Sequence, residues 1–109
     1  MEKYWIAATF LSSFKKKKIM QEEVYLFIGN EAKFPSGVFT TIENAKQWIE
    51  KYSLSGIVNK YPLDEGLYDW AIKKDFFTAK NEHQKGAKFI QRFTSASMDH
   101  WHFENGQQV

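Results

Sequence analysis

The longest run of strand-forming residues in the chain covers residues 23–28 and ends at Gly29. Val, Tyr, Leu, Phe and Ile follow one another there without an intervening polar residue, which is typical of a central strand covered on both faces of its sheet. Residues 38–40 continue in an extended conformation after the turn 35–37, and residues 57–61 predict a second strand. The pattern therefore indicates a sheet in the first part of the chain.

Apolar residues at helical spacing predict the main helix over residues 41–52. Thr40 followed three residues later by Glu43 resembles a capping box, in which each side chain bonds the backbone N–H of the other residue. Lys46 and Glu50 would form an exposed pair on the outer side of this helix. The apolar positions that follow the helical period are Ile42, Ala45, Ile49 and Tyr52.

A shorter helix is predicted over residues 65–74. Pro62 disfavours a helical backbone at the residue before it, and the carboxylate of Asp64 is in position to cap the helix that follows. Leu67 lies about one turn before Trp70 and Ala71, and all three would face the core. We expect this helix to close one edge or one end of the sheet.

Two further strands are predicted in the last third of the chain, over residues 89–93 and 100–104, with small residues between them. Residues 105–109 are expected to fray, as chain ends commonly do. The first stretch, residues 1–18, suits a helix or an extended arm, because its apolar residues fit both patterns. The structured core is therefore expected over residues 19–104.

Together these elements predict one α+β domain with a mostly antiparallel sheet of four or five strands. A length of 109 residues is near the commonest size of a domain and suffices for one hydrophobic core. No internal repeat or linker suggests a second domain. The residues expected in the core are Val24, Leu26, Ile28, Phe39, Ile42, Ala45, Ile49, Ile57, Leu67, Trp70, Phe89, Phe93, Trp101 and Phe103.

Composition narrows the class of function. The chain has no cysteine, which rules out disulfides and zinc–cysteine sites and fits a reducing, cytoplasmic compartment. Residues 1–20 contain five lysines and one glutamate, hence +4, whereas residues 21–109 contain ten Lys or Arg and twelve Asp or Glu, hence −2. A nucleic-acid binder would spread basic residues over a face of its fold, so we expect no nucleic-acid partner.

A membrane partner is not expected either. The apolar stretch 4–14 is too short to span a bilayer. Because the four lysines at 15–18 follow it, a helix lying on a membrane surface is one interpretation. A first structural element followed by a solvated, charged turn is the interpretation that we favour.

His100, His102 and Glu104 alternate with Trp101 and Phe103. In a strand, the two imidazoles and the carboxylate would project from one face, where they could bind a divalent metal or act as acid and base. The same alternation is the ordinary pattern of a half-buried strand with its polar residues in solvent. We favour a solvated strand face and expect neither a metal nor another cofactor.

Carboxylates are mixed with aromatic residues just after Pro62. Helix capping and the helix dipole explain Asp64 and Glu65, but they explain Asp69 less well, because it lies deeper in the predicted helix. Acidic groups next to aromatic ones, here Tyr68, are also typical of an interface that faces a basic protein.

Several short motifs occur in a fixed order along the chain: F-P-S-G-V-F at 34–39, W-I at 48–49, L-S-G at 54–56, Y-P-L-D-E-G-L-Y-D-W-A at 61–71, and F-I with F and S-A-S between 89 and 97. This succession, over residues 24–104, resembles a small bacterial domain family of unknown function. Some members of that family resemble immunity proteins encoded beside secreted toxins, including contact-dependent growth inhibition systems. No catalytic residues are established for the family, so the resemblance implies none here.

The chain is therefore expected to be a cytoplasmic immunity protein rather than an enzyme. It would bind a cognate toxin domain, such as a nuclease, and occlude its active site, with carboxylates competing for the basic groups that hold phosphates. The alternative is a small metal-dependent or acid–base enzyme. That enzyme would use His100, His102 and Glu104. The residues expected to contact the toxin are Asp64, Glu65, Tyr68, Asp69, His100, His102 and Glu104.

Overall fold

Residues 21–109, which the computed structural model describes, form a five-stranded antiparallel sheet with the strand order β2-β1-β3-β4-β5. This confirms the predicted α+β class and the mostly antiparallel sheet. The expectations for residues 1–18 lie outside the described residues. The strands are β1 (Glu23–Gly29), β2 (Gly37–Phe39), β3 (Gly56–Pro62), β4 (His100–Glu104) and β5 (Gln107–Gln108), and the helices are α1 (Ile42–Lys51), α2 (Leu67–Lys73), the 3-10 turn Glu82–Lys85 and α3 (Ala87–Ile90).

Strand β1 lies inside the sheet, as its apolar sequence predicts, because it pairs with β2 on one side and β3 on the other. The register places Phe27 of β1 opposite Val58 of β3, and Val58 opposite Trp101 of β4. Directly opposed residues of antiparallel strands point to the same face of a sheet. These three side chains therefore share one face, and helix α1 packs against it.

The hydrophobic core lies between this face and α1, and the residues buried together in it are Phe27, Ala45, Ile49, Val58 and Phe103. Phe27 and Val58 are missing from the predicted core. The prediction instead chose residues of the opposite sheet face, which are only half-buried: Val24, Leu26, Ile28 and Ile57. A continuous apolar run does not reveal which alternate residues point to the helix, and a shift of one position exchanges the faces.

Most other residues of the predicted core lie at its margin. Ala45, Ile49 and Phe103 are buried as expected, and so is Ala71 of α2, whereas Met98 is buried without having been predicted there. The predicted core residues that are only half-buried, beyond those on the opposite face, are Phe39, Ile42, Leu67, Trp70, Phe89, Phe93 and Trp101.

Helix α1 begins one residue later than the predicted capping box requires. Its N-cap is Thr41 rather than Thr40, and the Thr41 hydroxyl oxygen accepts a hydrogen bond of 3.1 Å from the Asn44 backbone N–H. Two adjacent threonines offer the same capping group. The later start places Ile42 in the first turn, where it packs against the core.

Helix α2 also begins later than predicted. Its N-cap is Gly66, and Asp64 does not cap it because the Asp64 backbone has already turned into a left-handed conformation, with φ of 58°. The Leu63 N–H donates to the Glu22 carbonyl oxygen at 2.8 Å, which fixes this part of the chain to the end of the sheet where β1 starts. None of the helices within residues 21–109 is long and apolar enough to cross a membrane.

Residues 89–93 belong to a helical turn rather than to the predicted strand. Helix α3 begins after Gly86, and the Phe93 N–H extends the turn by donating to the Ile90 carbonyl oxygen at 3.2 Å. The rings of Phe89 and Phe93 lie 6.0 Å apart, between centroids. In a strand, residues four positions apart would be separated by about 13 Å. A short apolar run fits both patterns, and here the ring contacts favour the helical turn.

The last residues pair with the sheet instead of fraying. Gln107–Gln108 forms strand β5 beside β4, and the Val109 N–H donates to the His102 carbonyl oxygen at 3.0 Å. Asn105 and Gly106 make the connecting turn with φ of 49° and 85°. Asn-Gly is a strong sequence signal for such a hairpin, and the prediction of a frayed tail overlooked it.

Gly56 is required by a close approach of strands β1 and β3 rather than by an unusual backbone angle. A Cβ at this position would overlap the Ile28 carbonyl oxygen and lie 2.8 Å from Gly29 Cα. It would also lie 2.8 Å from the ring of Phe27. Because Gly56 has no side chain, β3 can lie this close to β1 at Ile28 and Gly29.

Candidate partner-binding surface

The seven residues predicted to contact a partner fall into two groups in the structure. One group lies within residues 63–76, which contain α2 and the turns on either side of it, and which we call the acid–aromatic segment. The other group lies on β4. The first group consists of Asp64, Glu65, Tyr68 and Asp69, and the second of His100, His102 and Glu104.

The acid–aromatic segment exposes both carboxylates and large apolar side chains. Its exposed carboxylates belong to Asp64, Asp69 and Asp75. Its exposed large apolar residues are Leu63, Ile72 and Phe76, and Phe76 is the most exposed of them at 51%. Grouped apolar side chains with a polar rim are a common feature of protein interaction sites.

Two of these carboxylates occupy special backbone positions at the ends of α2. Asp64 precedes the helix with φ of 58°, and Asp75 follows it with φ of 61°. Aspartate tolerates the left-handed conformation better than most residues, since its short polar side chain can bond locally. The backbone thus turns sharply at each end of α2 and leaves both carboxylates on the surface.

Glu65 and Tyr68 have partners within the protein. The Glu65 carboxylate forms a 2.9 Å ion pair with the Lys73 ammonium group at the other end of α2. The Tyr68 hydroxyl donates a 2.7 Å hydrogen bond to the Gln84 carbonyl oxygen. Of the first group, Asp64 and Asp69 are therefore the carboxylates that remain exposed to a partner.

Tyr68 also belongs to a cluster of four aromatic rings with Phe77, Phe89 and Phe93. All six pairs of rings are in contact, with centroid distances from 5.0 to 6.3 Å. Each such pair contributes about 0.5–1.5 kcal/mol beyond the burial of its surface. The four-ring cluster therefore joins α2 to α3, although none of its members is fully buried.

An open cavity of about 450 Å³ lies beside the four-ring cluster. Phe77, Phe89 and Phe93 form its aromatic wall, and Phe76 stands at its rim. Arg92 and the loop of residues 94–96 complete the lining. Its volume lies within the usual range for sites that bind small ligands.

Strand β4 shows the predicted alternation. His100, His102 and Glu104 are exposed, while Phe103 between them is buried in the core. The two imidazole rings lie 5.3 Å apart between centroids and are nearly perpendicular. His100 Nδ1 lies 2.9 Å from the Met98 carbonyl oxygen, so Nδ1 carries the proton and donates it to that oxygen.

These β4 residues do not assemble a metal site. Across residues 21–109, no three His, Asp or Glu side chains converge closely enough to hold a metal ion. Strand β5 pairs with β4 at Glu104, so β4 is not an edge strand at this end of the sheet. The metal-dependent form of the alternative enzyme would need its three groups to converge on one ion, and within residues 21–109 they do not.

Lys60 is held at the end of β3 by two carboxylates. Its ammonium group lies 2.9 Å from Glu23 and 3.8 Å from Asp99. The hydrogen bond with Glu23 raises the pKa of Lys60 above its ordinary value of 10.5, and partial burial opposes this shift. The contacts connect β1, β3 and the approach to β4, so Lys60 stabilises the sheet and has no evident role in chemistry.

The sequence pattern did not single out Phe76, Phe77 and Arg92 as surface or cavity residues. The adjacent Phe76 and Phe77 lie just beyond the predicted end of α2 at residue 74, and they were not assigned to any element. Their contacts depend on the helical turn at Phe89 and Phe93, which was predicted as a strand. The sequence did contain a signal for this turn: Phe89 and Phe93 are four residues apart, which places them side by side on a helix.

One comparison with known proteins identifies a family. The model for a domain of unknown function (DUF7710) matches residues 24–109. The match covers nearly all of the described fold, and it confirms the resemblance to a family of unknown function. No curated protein and no solved structure matches the chain.

Proposed function

The chain belongs to the DUF7710 family of unknown function, and we propose that it is a cytoplasmic immunity protein that binds a cognate toxin domain and occludes the active site of that toxin. Its action is binding alone, without a catalytic step. The toxin class that suits the surface best is one whose active site is basic, such as a nuclease. Such a site holds phosphates with lysine and arginine side chains.

The observation that carries this proposal is the composition of the acid–aromatic segment. Three exposed carboxylates and three exposed large apolar residues fall within its 14 residues, 63–76. Apolar side chains would supply the contact area at the centre of an interface, and the carboxylates would select a basic partner.

The four-ring cluster supports the proposal because it holds α2, and with it the acid–aromatic segment, in one conformation. Tyr68 lies on α2, and its ring and hydroxyl both contact residues beyond the helix. A helix of seven residues has little stability of its own. Contacts of this kind hold the exposed Asp69 and Ile72 in a fixed arrangement, which lowers the entropy lost on binding.

The contact surface that follows differs from the one predicted from the sequence. Asp64 and Asp69 would contact the toxin directly, with Leu63, Ile72 and Phe76 beside them. Glu65 and Tyr68 would not contact the toxin. They would hold α2 in place through the Lys73 ion pair and the hydrogen bond to the Gln84 carbonyl oxygen. The exposed face of β4, with His100, His102 and Glu104, remains part of the proposed surface at its margin.

The test measures binding of the toxin domain encoded beside this protein by a variant that carries Asp64→Asn and Asp69→Lys. Asparagine at position 64 removes the charge and keeps a residue that tolerates the left-handed backbone. We expect weaker binding and slower association, with a larger effect at low salt, because electrostatic attraction accelerates encounter and is screened by ions. Thermal stability should change little.

A matched control is available in the same chain. Glu31 is exposed with φ of 65°, and Glu43 is exposed in the first turn of α1, so Glu31→Asn and Glu43→Lys repeat the same backbone context and the same change of charge elsewhere. Equal weakening of toxin binding by both double variants would show that only the net charge of the protein matters. It would rule out the acid–aromatic segment as the interface. Unchanged binding by the first variant would also move the interface elsewhere. If the wild-type protein binds no toxin domain encoded beside it, the immunity function itself fails.

A further inference from the structure

The cavity beside the four-ring cluster has the features of a ligand site. It measures about 450 Å³, and three phenylalanine rings, those of Phe77, Phe89 and Phe93, line one side. Ligand sites of this size are mainly apolar and contain a few polar groups that fix orientation. The wall is also well supported, since the same three rings contact one another at 5.0 to 6.0 Å.

The shape of the wall favours a flat apolar ligand. The rings of Phe77 and Phe89 are nearly parallel, at 25°, whereas Phe93 meets Phe77 at 67°. The three rings of the wall are therefore set at different angles to one another. A ligand ring could stack on one and meet the edge of another, which are the preferred arrangements of aromatic pairs.

Arg92 gives the cavity its charge. It is the charged residue of the lining, and it forms no ion pair with any carboxylate in residues 21–109. Its guanidinium group can bind a carboxylate through two parallel hydrogen bonds. Thr94 and Ser95 add hydroxyl groups beside it, and the Ser95 oxygen accepts a bond from the Ser97 N–H while its own proton remains available.

From this combination we propose that the cavity binds a small aromatic carboxylate, with the aromatic ring against Phe77, Phe89 and Phe93 and the carboxylate on Arg92. A neutral apolar ligand would leave the guanidinium without a partner, and a cation would be repelled by it. The inference does not rest on the proposed immunity function, because it concerns a free small molecule; Phe76 is the one residue of the proposed contact surface that also lines the cavity.

The test is a titration of the wild-type protein with 3-phenylpropionate, followed by amide NMR shifts and by calorimetry. We expect saturable binding with the largest shifts at residues 89–96. The neutral analogue 3-phenylpropionamide has nearly the same shape but no charge, and it should bind about tenfold more weakly, since a charge-assisted bond is roughly twice as strong as a neutral one.

Two variants and one control locate the site. Arg92→Gln should reduce the affinity for 3-phenylpropionate to that for the amide and leave the affinity for the amide unchanged. Ala96→Leu should place a larger side chain in the cavity and weaken both ligands. Lys88→Gln removes an exposed charge from α3 outside the lining, and it should change neither affinity.

Several results would overturn the inference. They are the absence of saturable binding, equal affinities for the acid and the amide, and an equal effect of Arg92→Gln and Lys88→Gln. If 3-phenylpropionate does not bind but Arg92→Gln weakens binding of the toxin domain, the cavity receives a side chain of the toxin, and the small-molecule site is wrong. That outcome would leave the proposed immunity function standing.

Discussion

The Tyr68 hydroxyl donates a 2.7 Å hydrogen bond to the Gln84 carbonyl oxygen, 16 residues further along the chain. The bond connects α2 with the end of the 3-10 turn, and the Tyr68 ring meets Phe77, Phe89 and Phe93 on the same side. One residue thus contributes both the polar and the apolar part of the link. The exposed surface of the acid–aromatic segment depends on that link.

Tyr68→Phe is therefore expected to lower the free energy of unfolding by about 0.5–1.5 kcal/mol, because the ring contacts stay while the Gln84 carbonyl oxygen loses its partner. Urea unfolding followed by fluorescence measures this change. Hydrogen exchange should also accelerate at residues 82–90 more than in the sheet. An unchanged free energy of unfolding and unchanged exchange would show that the bond does not hold the two elements together.

The main core is tested by a pair of isoleucines. Ile49 is fully buried against the sheet, and Ile90 is 40% exposed on α3. Ile49→Ala should cost about 2–5 kcal/mol, since it removes buried methyl groups and leaves a cavity. Ile90→Ala should cost clearly less, and comparable losses in chemical denaturation would contradict the assignment of the core to the α1 side of the sheet.

Gly56 is expected to tolerate no side chain. Gly56→Ala would force the backbones of β1 and β3 apart at Ile28 and Gly29, and we expect a loss of several kcal/mol or an unfolded protein. Gly86→Ala is the control, because a Cβ there would meet nothing closer than 3.6 Å, the distance to the His83 carbonyl oxygen. Similar melting temperatures for the two variants would rule out the close approach.

Because of Lys60, the free energy of unfolding is expected to change with pH in the alkaline range. Because the pKa of Lys60 is raised in the folded state, its contribution is complete below the ordinary value of 10.5 and is lost as the pH rises through the folded-state pKa. Lys60→Met should cost about 0.2–1 kcal/mol near neutral pH, the usual value of an ion pair near the surface. The difference from wild type in urea unfolding should be constant from neutral pH to pH ~9 and shrink above the ordinary lysine pKa. A difference that grows with pH would refute the ion pairs.

The parts of the fold that the sequence predicts well are those with a repeated local pattern. Ala45 and Ile49 follow the helical period, and both are buried in α1. Trp101 and Phe103 alternate with polar residues, and they face the core from β4 as expected. In each case polar positions between the apolar ones reveal which side faces inward.

The parts that the sequence does not predict depend on contacts between distant residues. Every residue from 24 to 28 in β1 is compatible with burial, so only the packing of the strand against α1 selects Phe27 over Leu26. The turn at Phe89 and Phe93 is stabilised by rings from residues 68 and 77, which no local pattern connects. The sequence singles out Asp64 and Asp69, which are exposed in the structure, but it does not reveal that Tyr68 points inward, because the contacts of Tyr68 depend on that same turn.

The central claim is that this protein inhibits a toxin by binding to it. The most direct measurement is the activity of the purified toxin domain encoded beside it, titrated with the purified protein, with the Asp64→Asn/Asp69→Lys variant in parallel. We predict that toxin activity falls in proportion to the wild-type protein added and reaches background at an equimolar ratio, while the variant requires an excess. Full toxin activity in the presence of excess wild-type protein would contradict the account.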